Sequence, residues 1–149
     1  MSLPFAVEIV AAPEDLRRLV AASWLASYRT APEVRDMADD VYDAYMRARV
    51  SRLLDRSRVV AALADGVAIG WACGERASTG RAVLHYAYVK RAYRQHGLGA
   101  RLLDAMRTAC GADDRAGVYT HRRPPWSLAL EARGWRHRPD YARRGRAVE

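Results

Sequence analysis

Val89-Lys90-Arg91-Ala92-Tyr93-Arg94-Gln95-His96-Gly97-Leu98-Gly99-Ala100-Arg101-Leu102-Leu103 is the stretch on which the reading of this chain turns. On its N-terminal side the run Ala82 to Val89 reads as a strand. On its C-terminal side Leu98, Leu102, Leu103 and Met106 recur at helical spacing, and Gly111 suits the helix C-cap. Between them lies a tight turn with two glycines and a leading arginine. Glycine permits positive φ and close approach of the backbone, so amide hydrogens from Gln95 to Ala100 can converge on one phosphate group. The helix N-terminus behind them adds partial positive charge. Arg94, with Lys90, Arg91 and Arg101 nearby, supplies full charges, and the whole suits a pyrophosphate. The spacing is neither G-x-x-x-x-G-K-[ST] nor G-x-G-x-x-G, which removes the Walker and dinucleotide readings. Taken alone it also describes an ordinary strand-to-helix turn, so the context decides.

That context is an alternation of strands and helices. Phe5 to Val10 reads as a first strand. Pro13-Glu14-Asp15 opens a helix carrying Leu16, Leu19, Val20 and Trp24. A second helical block, whole or split in two, runs from about Val34 to Asp55. The runs 59–63 and 67–71, joined at Asp65-Gly66, form a hairpin. After the turn-helix segment come a short strand from Gly117 to Thr120, a helix from Pro124-Pro125 to Arg133, and a last strand from Trp135 to Arg143. No repeat or linker interrupts the order, and 1–149 reads as one domain.

Composition narrows the class. Twenty-five Lys+Arg against 17 Asp+Glu give a net charge of +8, which favours anionic partners. Lys90 is the only lysine and alanine is abundant, a usage that GC-rich coding also produces. No run approaches the ~20 apolar residues of a membrane span, and the start lacks a secretory signal, so a cytoplasmic protein is expected. Cys73 and Cys110 fit no metal-ligand or disulfide spacing, and no metal is expected.

The quoted stretch resembles motif A of the GCN5-related N-acetyltransferase (GNAT) superfamily, and His85 to Leu103 is similar to the same segment of the arylalkylamine N-acetyltransferases. The resemblance implies an α/β (α+β) GNAT fold, a mixed, mostly antiparallel central sheet flanked by helices. It implies acetyl-CoA as cosubstrate and transfer of an acetyl group to a primary amine by direct attack in a ternary complex, without a metal. It assigns cofactor contacts to the backbone of Tyr88 and Val89 and to Arg94, Gln95, His96, Gly97, Leu98, Gly99 and Ala100. His85 matches the strand histidine of the arylalkylamine enzymes and takes the base role. The carboxylate that other members use falls on Val83, which cannot titrate, and Glu75 on the neighbouring strand is the other candidate. Tyr86 and Tyr88, alternating with His85, are expected to face away from it.

Two positions depart from the family. The tyrosine that commonly precedes the final Gly-aromatic pair, here Gly134-Trp135, is Leu130, and an asparagine earlier in that region is Arg123. Tyr141 or Tyr119 is then the substitute acid. Trp24, Tyr28, Tyr42 and Tyr45 either wall the acceptor site or belong to the core. The net charge favours a neutral or acidic amine, on a small molecule or peptide, over a highly cationic one. The chain is expected to be a monomer or homodimer with no membrane partner. Two rival readings stay open. One is a nucleic-acid-binding or nucleic-acid-modifying protein, suggested by Arg133, Arg136, His137, Arg138, Arg143, Arg144 and Arg146 but lacking an aromatic stacking ladder. The other is a non-catalytic acyl-CoA binder.

Overall fold

The structure, a computed structural model, describes residues 6–143. Its strands are β1 (Glu8–Ala11), β2 (Arg58–Ala64), β3 (Val67–Arg76), β4 (Ala82–Val89), β5 (Val118–Tyr119) and β6 (Arg136–His137). They form one sheet in sequence order. The first four pair antiparallel, whereas β5 adds parallel to β4 and β6 parallel to β5, which makes the sheet mixed and mostly antiparallel, as expected. The turn between β2 and β3 has positive φ at both Asp65 and Gly66 (50° and 78°), the conformation whose twist matches the strands it joins.

Helices α1 (Glu14–Tyr28) and α2 (Asp39–Arg56) cover one face. Val20, Trp24 and Tyr28 of α1, four residues apart, and Met46, Val50 and Leu53 of α2 bury a stripe against Trp71, Cys73 and Tyr86. Helices α3 (Leu98–Cys110) and α4 (Trp126–Ala132) cover the other face. There Leu98, Leu102, Met106 and Leu130 pack on Ile69, Ala72, Leu84 and Tyr119. Each such side chain taken out of water is worth about 1.5–3 kcal/mol, so the helix that follows the glycine-rich turn is firmly seated on the sheet.

Four expectations change. The block from Val34 is not helical until Asp39. Val34 and Met37 pack from a turn, because Arg29 donates hydrogen bonds to the Val34 and Met37 carbonyls and to Asp39 and so holds the chain out of a helix. The first helix instead runs on to Tyr28. The last strand is only Arg136–His137: Pro139 has no N–H to continue a ladder, and the acid Asp140 opens a short helix, α5 (Asp140–Arg143). The first strand is described from Glu8, and Phe5, like Arg144 and Arg146, lies outside the described residues.

The fourth change is at His85. The β3–β4 register slips between Cys73 and Gly74, so that Cys73 faces Tyr86 while Gly74 faces Leu84, and His85 has no partner across the ladder. A bulge of this kind resets the alternation of side chains. His85 and Tyr86 therefore both face the α1–α2 side, where strict alternation put Tyr86 opposite. Gly74 makes the bulge possible, since a Cβ there would run into the Val83 carbonyl oxygen and lie 2.6 Å from Met106 Sδ.

Candidate active site

Strands β4 and β5 touch only briefly. Val83 pairs with Val118 and Leu84 with Tyr119, and the Thr120 N–H donates to the Leu84 carbonyl at 3.0 Å. From Tyr86 to Val89, β4 has no β5 neighbour, and a gap opens along its edge. The Lys90 N–H bonds to the Ile69 carbonyl at 2.8 Å, which sets the antiparallel alternation. By that alternation the polar groups of Tyr88 are used in the β3 ladder, while those of Ala87 and Val89 point into the gap. The Val89 carbonyl accepts a 2.7 Å bond from Arg94 Nε, and the Arg94 guanidinium lies 5.6 Å from the centre of the Tyr88 ring. The sequence did not single out Ala87 as part of this edge, because only pairing partners reveal which polar groups a neighbouring strand leaves free.

Past Lys90 the chain makes one 3-10 turn, Arg91–Tyr93, and then winds back on itself. Gln95 and Gly97 both have positive φ (68° and 77°), and α3 starts directly behind them. A non-glycine residue at such an angle carries a cost that the surrounding structure has to offset, and such residues gather at binding loops. Among the described residues, ideal Cβ atoms on Gly97 or Gly99 would meet nothing within 4 Å, so the surface above the first turn is clear of them. Arg94, Gln95, Gly97, Gly99 and Ala100 are exposed, Leu98 is buried as the anchor, and half-buried His96 has an enclosed Nδ1 without a partner among the described residues. The free N–H groups of the first helical turn and the clear space above them fit a phosphate group.

Below the gap the site is closed. Arg56 Nε donates to Glu75 Oε2 at 2.8 Å, and the same oxygen lies 2.5 Å from His85 Nε2. His85 Nδ1 is 2.9 Å from Thr120 Oγ1, which is in turn 2.8 Å from His121 Nδ1. His121 Nε2 is buried and has no partner among the described residues. Its ring meets Trp24 and Tyr28 edge-on, with centroids 5.3 and 5.2 Å away. His85, Thr120 and His121 are each no more than 1% exposed. Burial lowers the His85 pKa more than Glu75 raises it, with Arg56 and Arg49 adding to the lowering. His121 is pushed well below its ordinary value by burial, then by His85 and Arg49. For Glu75, burial works upward, but the bonds from His85 and Arg56 prevail and keep the carboxyl below the usual range. The sequence reading contained His85 and Glu75 but not Thr120 or His121. The available signal was scarcity: three of the chain's four histidines, His85, His121 and His137, meet around Thr120.

Other expected residues lie elsewhere. Tyr141 sits in α5, not on a strand, and packs against Ala77, Val83 and Val118 at the closed end of the β4–β5 pair. Tyr119 is buried with its hydroxyl on Glu131, which with burial raises its pKa to about 12. Leu130 is core, and Arg123 bonds Thr30 Oγ1 at 3.0 Å. Trp24, Tyr28 and Tyr42 are core residues and Tyr45 is exposed. An open recess of about 400 Å³ between β1 and α3, lined by Ile9, Val60, Asp104 and Thr108 among others, lies away from these groups. Of the basic C-terminal residues, Arg138 is paired with Asp140, while Arg133, Arg136 and Arg143 are exposed. Among the described residues no cluster of His, Cys, Asp and Glu is placed to hold a metal, and no helix is long and apolar enough to cross a membrane.

The sequence model of the acetyltransferase (GNAT) family matches residues 15–130. The chain belongs to that family. The match takes in both the glycine-rich turn and the histidine chain, and membership makes this protein an acyltransferase by class. Two of the solved structures that share its fold show the extent of the likeness. One is a candidate acetyl transferase from Pyrococcus furiosus, 18% identical, with a TM-score of 0.66 over 89% of this chain and 95% of that one. The other is the PaiA N-acetyltransferase from Thermoplasma acidophilum in complex with coenzyme A, 14% identical, with a TM-score of 0.58 over 87% of this chain and 89% of that one. A GNAT acetyltransferase from Staphylococcus aureus Mu50 is 18% identical with a TM-score of 0.49, aligned over 70% of this chain, which spans 66% of its length. No curated protein matches the sequence.

Proposed function

We propose that the chain is a cytoplasmic, acetyl-CoA-dependent N-acetyltransferase acting on a primary amine of a small molecule or peptide. The observation that carries this reading is the cleared surface over Gly97 and Gly99 at the start of α3, in line with the unpaired edge of β4. A diphosphate bound to the amides of Gln95 to Ala100, near Arg94, directs the rest of a coenzyme A molecule along that edge, toward the polar groups of Val89 and Ala87. The coenzyme A complex of the Thermoplasma relative supports the same cosubstrate here.

In this reading the amine attacks the thioester carbonyl directly, and a backbone N–H on the β4 edge stabilises the oxyanion. The amine must lose a proton. His85, hydrogen-bonded to Glu75, holds that proton beside the carboxylate. Because both His85 ring nitrogens are already engaged, Nε2 by Glu75 and Nδ1 by Thr120, the proton arrives through an intervening group. No tyrosine acid is assigned: Leu130 cannot donate, and Tyr141 lies at the closed end of the strand pair. A thiol of pKa about 8.5 leaves as the thiolate, at some loss of rate.

The test is calorimetry with acetyl-CoA followed by release of free thiol over a panel of amines. Saturable binding and amine-dependent thiol release are expected. Absence of saturable binding by folded protein defeats the assignment, and binding without thiol release leaves an acyl-CoA sensor.

A further inference from the structure

The hydrogen-bond chain beneath the gap has a direction. Glu75 receives a bond from Arg56 and is an acceptor only. The His85 ring nitrogen facing it, Nε2, must therefore carry the proton. A neutral His85 then presents a lone pair at Nδ1, and among the described residues the donor facing it is the Thr120 hydroxyl at 2.9 Å, closer than the 3.5 Å from that hydroxyl to the His85 carbonyl oxygen. That hydroxyl has one hydrogen, so toward His121 it can only accept, and His121 Nδ1 must donate across the 2.8 Å contact. The carboxylate thus dictates the tautomer of a ring three groups away. His121 carries its hydrogen on Nδ1, and its unpartnered Nε2 is a bare lone pair.

We propose that His121 Nε2 takes the proton of the acceptor amine and that Thr120 passes it to His85. This rests on the acetyl-transfer reading above and names the group through which His85 acts. The protons balance. When Nε2 gains a proton, the Nδ1 hydrogen moves to Thr120 Oγ1, the Thr120 hydrogen moves to His85 Nδ1, and His85 becomes an imidazolium beside Glu75. His121 ends neutral with its hydrogen on Nε2, so the pair stores one proton and the amine has lost one. An unpartnered buried nitrogen normally costs stability. Here that cost keeps a base available. The side chains facing His121 agree with this role. Trp24 and Tyr28 of α1 are uncharged, the Tyr28 hydroxyl being held by Glu33, while Arg49 of α2 and His137 of β6 disfavour a cation on the ring. With His85 they keep His121 neutral near pH 7, ready to accept.

The first measurement is nitrogen-15 NMR of the ligand-free protein, where long-range couplings distinguish the two neutral tautomers. We expect His121 to be neutral at pH 7 with its hydrogen on Nδ1, in the wild type and in Thr120→Ser. Thr120→Val should lose that fixed tautomer. A hydrogen on Nε2 in the wild type, or a charged ring at pH 7, overturns the proposal. The second is thiol release from pH 5.5 to 8.5. Thr120→Ser should keep the wild-type pH profile. Thr120→Val and His121→Gln should lose about 100-fold in kcat, as for a missing general base. Wild-type rates in folded His121→Gln that still binds acetyl-CoA also overturn it. A wild type that releases no thiol with any amine defeats the acetyl-transfer reading, while the NMR result judges the tautomer chain by itself.

Discussion

The loop over α3 and the histidine chain under β4 both adjoin that strand and are built in opposite ways. The loop is open, and its polar groups belong to the main chain: Gln95 and Gly97 turn the backbone by positive φ, and no described residue stands above Gly97 or Gly99. The chain from Glu75 to His121 is closed, and its polar groups are side chains from β3, β4 and the end of β5. A main-chain cradle needs one local segment and depends little on side-chain identity. A side-chain relay needs a particular residue at every place, and one bulge to bring them to the same side. Binding and chemistry thus place different demands on the sequence, and they break in different ways.

The largest break should come from filling the open half. Gly97→Trp adds a bulky side chain where a Cβ meets no neighbour, so the fold should survive. Calorimetry should show no saturable acetyl-CoA binding, and retained affinity in folded protein refutes the site. Glu75→Gln should do the reverse in the closed half. It removes the charge that stabilises an imidazolium at His85, so kcat should fall about 100-fold while acetyl-CoA affinity stays within about twofold. If affinity falls as well, the two halves are not separable.

The same contrast explains what could be read from the sequence. Gly97, Gly99 and Arg94 lie within six residues, and backbone geometry gives them meaning without any partner. The hairpin at Asp65-Gly66 and the cap at Gly111 were legible for the same reason: each is a local φ requirement, met here at 50°, 78° and 70°. The histidine chain spans residues 75 to 121, and no local rule announces it. The bulge at Cys73/Gly74 turned an alternation argument into a wrong facing for Tyr86, because a register slip is decided by the packing of Gly74 on Met106 and not by the pattern of β4. The last strand failed likewise, since Pro139 and Asp140 outweigh the apolar residues around them.

Two stability effects sharpen the comparison. Gly74→Ala forces a methyl group against the Val83 carbonyl and Met106 and should cost about 2 kcal/mol or more by denaturant unfolding. Gly99→Ala, with open space above it, should cost almost nothing. Equal costs dismiss the distinction between a packing glycine and a ligand glycine. The second effect depends on pH. His85 and His121 have folded pKa values below the ordinary ~6.5 and regain it on unfolding. The unfolded chain therefore binds protons that the fold refuses. Stability should be full above about pH 6.5 and fall below it, by up to about 1.4 kcal/mol per pH unit for each histidine, until the folded values are reached. His121→Gln should flatten that slope, and an unchanged slope removes His121 from the buried neutral pair.

The smallest effect concerns the side chain that ties the loop to the edge of β4. Arg94 is exposed, and in the free protein its Nε holds the Val89 carbonyl at 2.7 Å. Bound acetyl-CoA needs two things from it: charge near the diphosphate and release of a carbonyl on the β4 edge. The first favours binding and the second opposes it, because a bond already made must break. Arg94→Ala removes both, so the net loss should be only about threefold to tenfold in Kd, roughly 0.7–1.4 kcal/mol. Added salt separates the parts. Screening weakens the lost charge but not the lost carbonyl bond, since the Debye length shrinks from about 10 Å at 0.1 M to about 3 Å at 1 M. The difference between Arg94→Ala and wild type should therefore narrow as salt rises. A loss that is large and indifferent to salt makes Arg94 a specific ligand to the phosphates, and the main-chain cradle is then insufficient to hold the cosubstrate by itself.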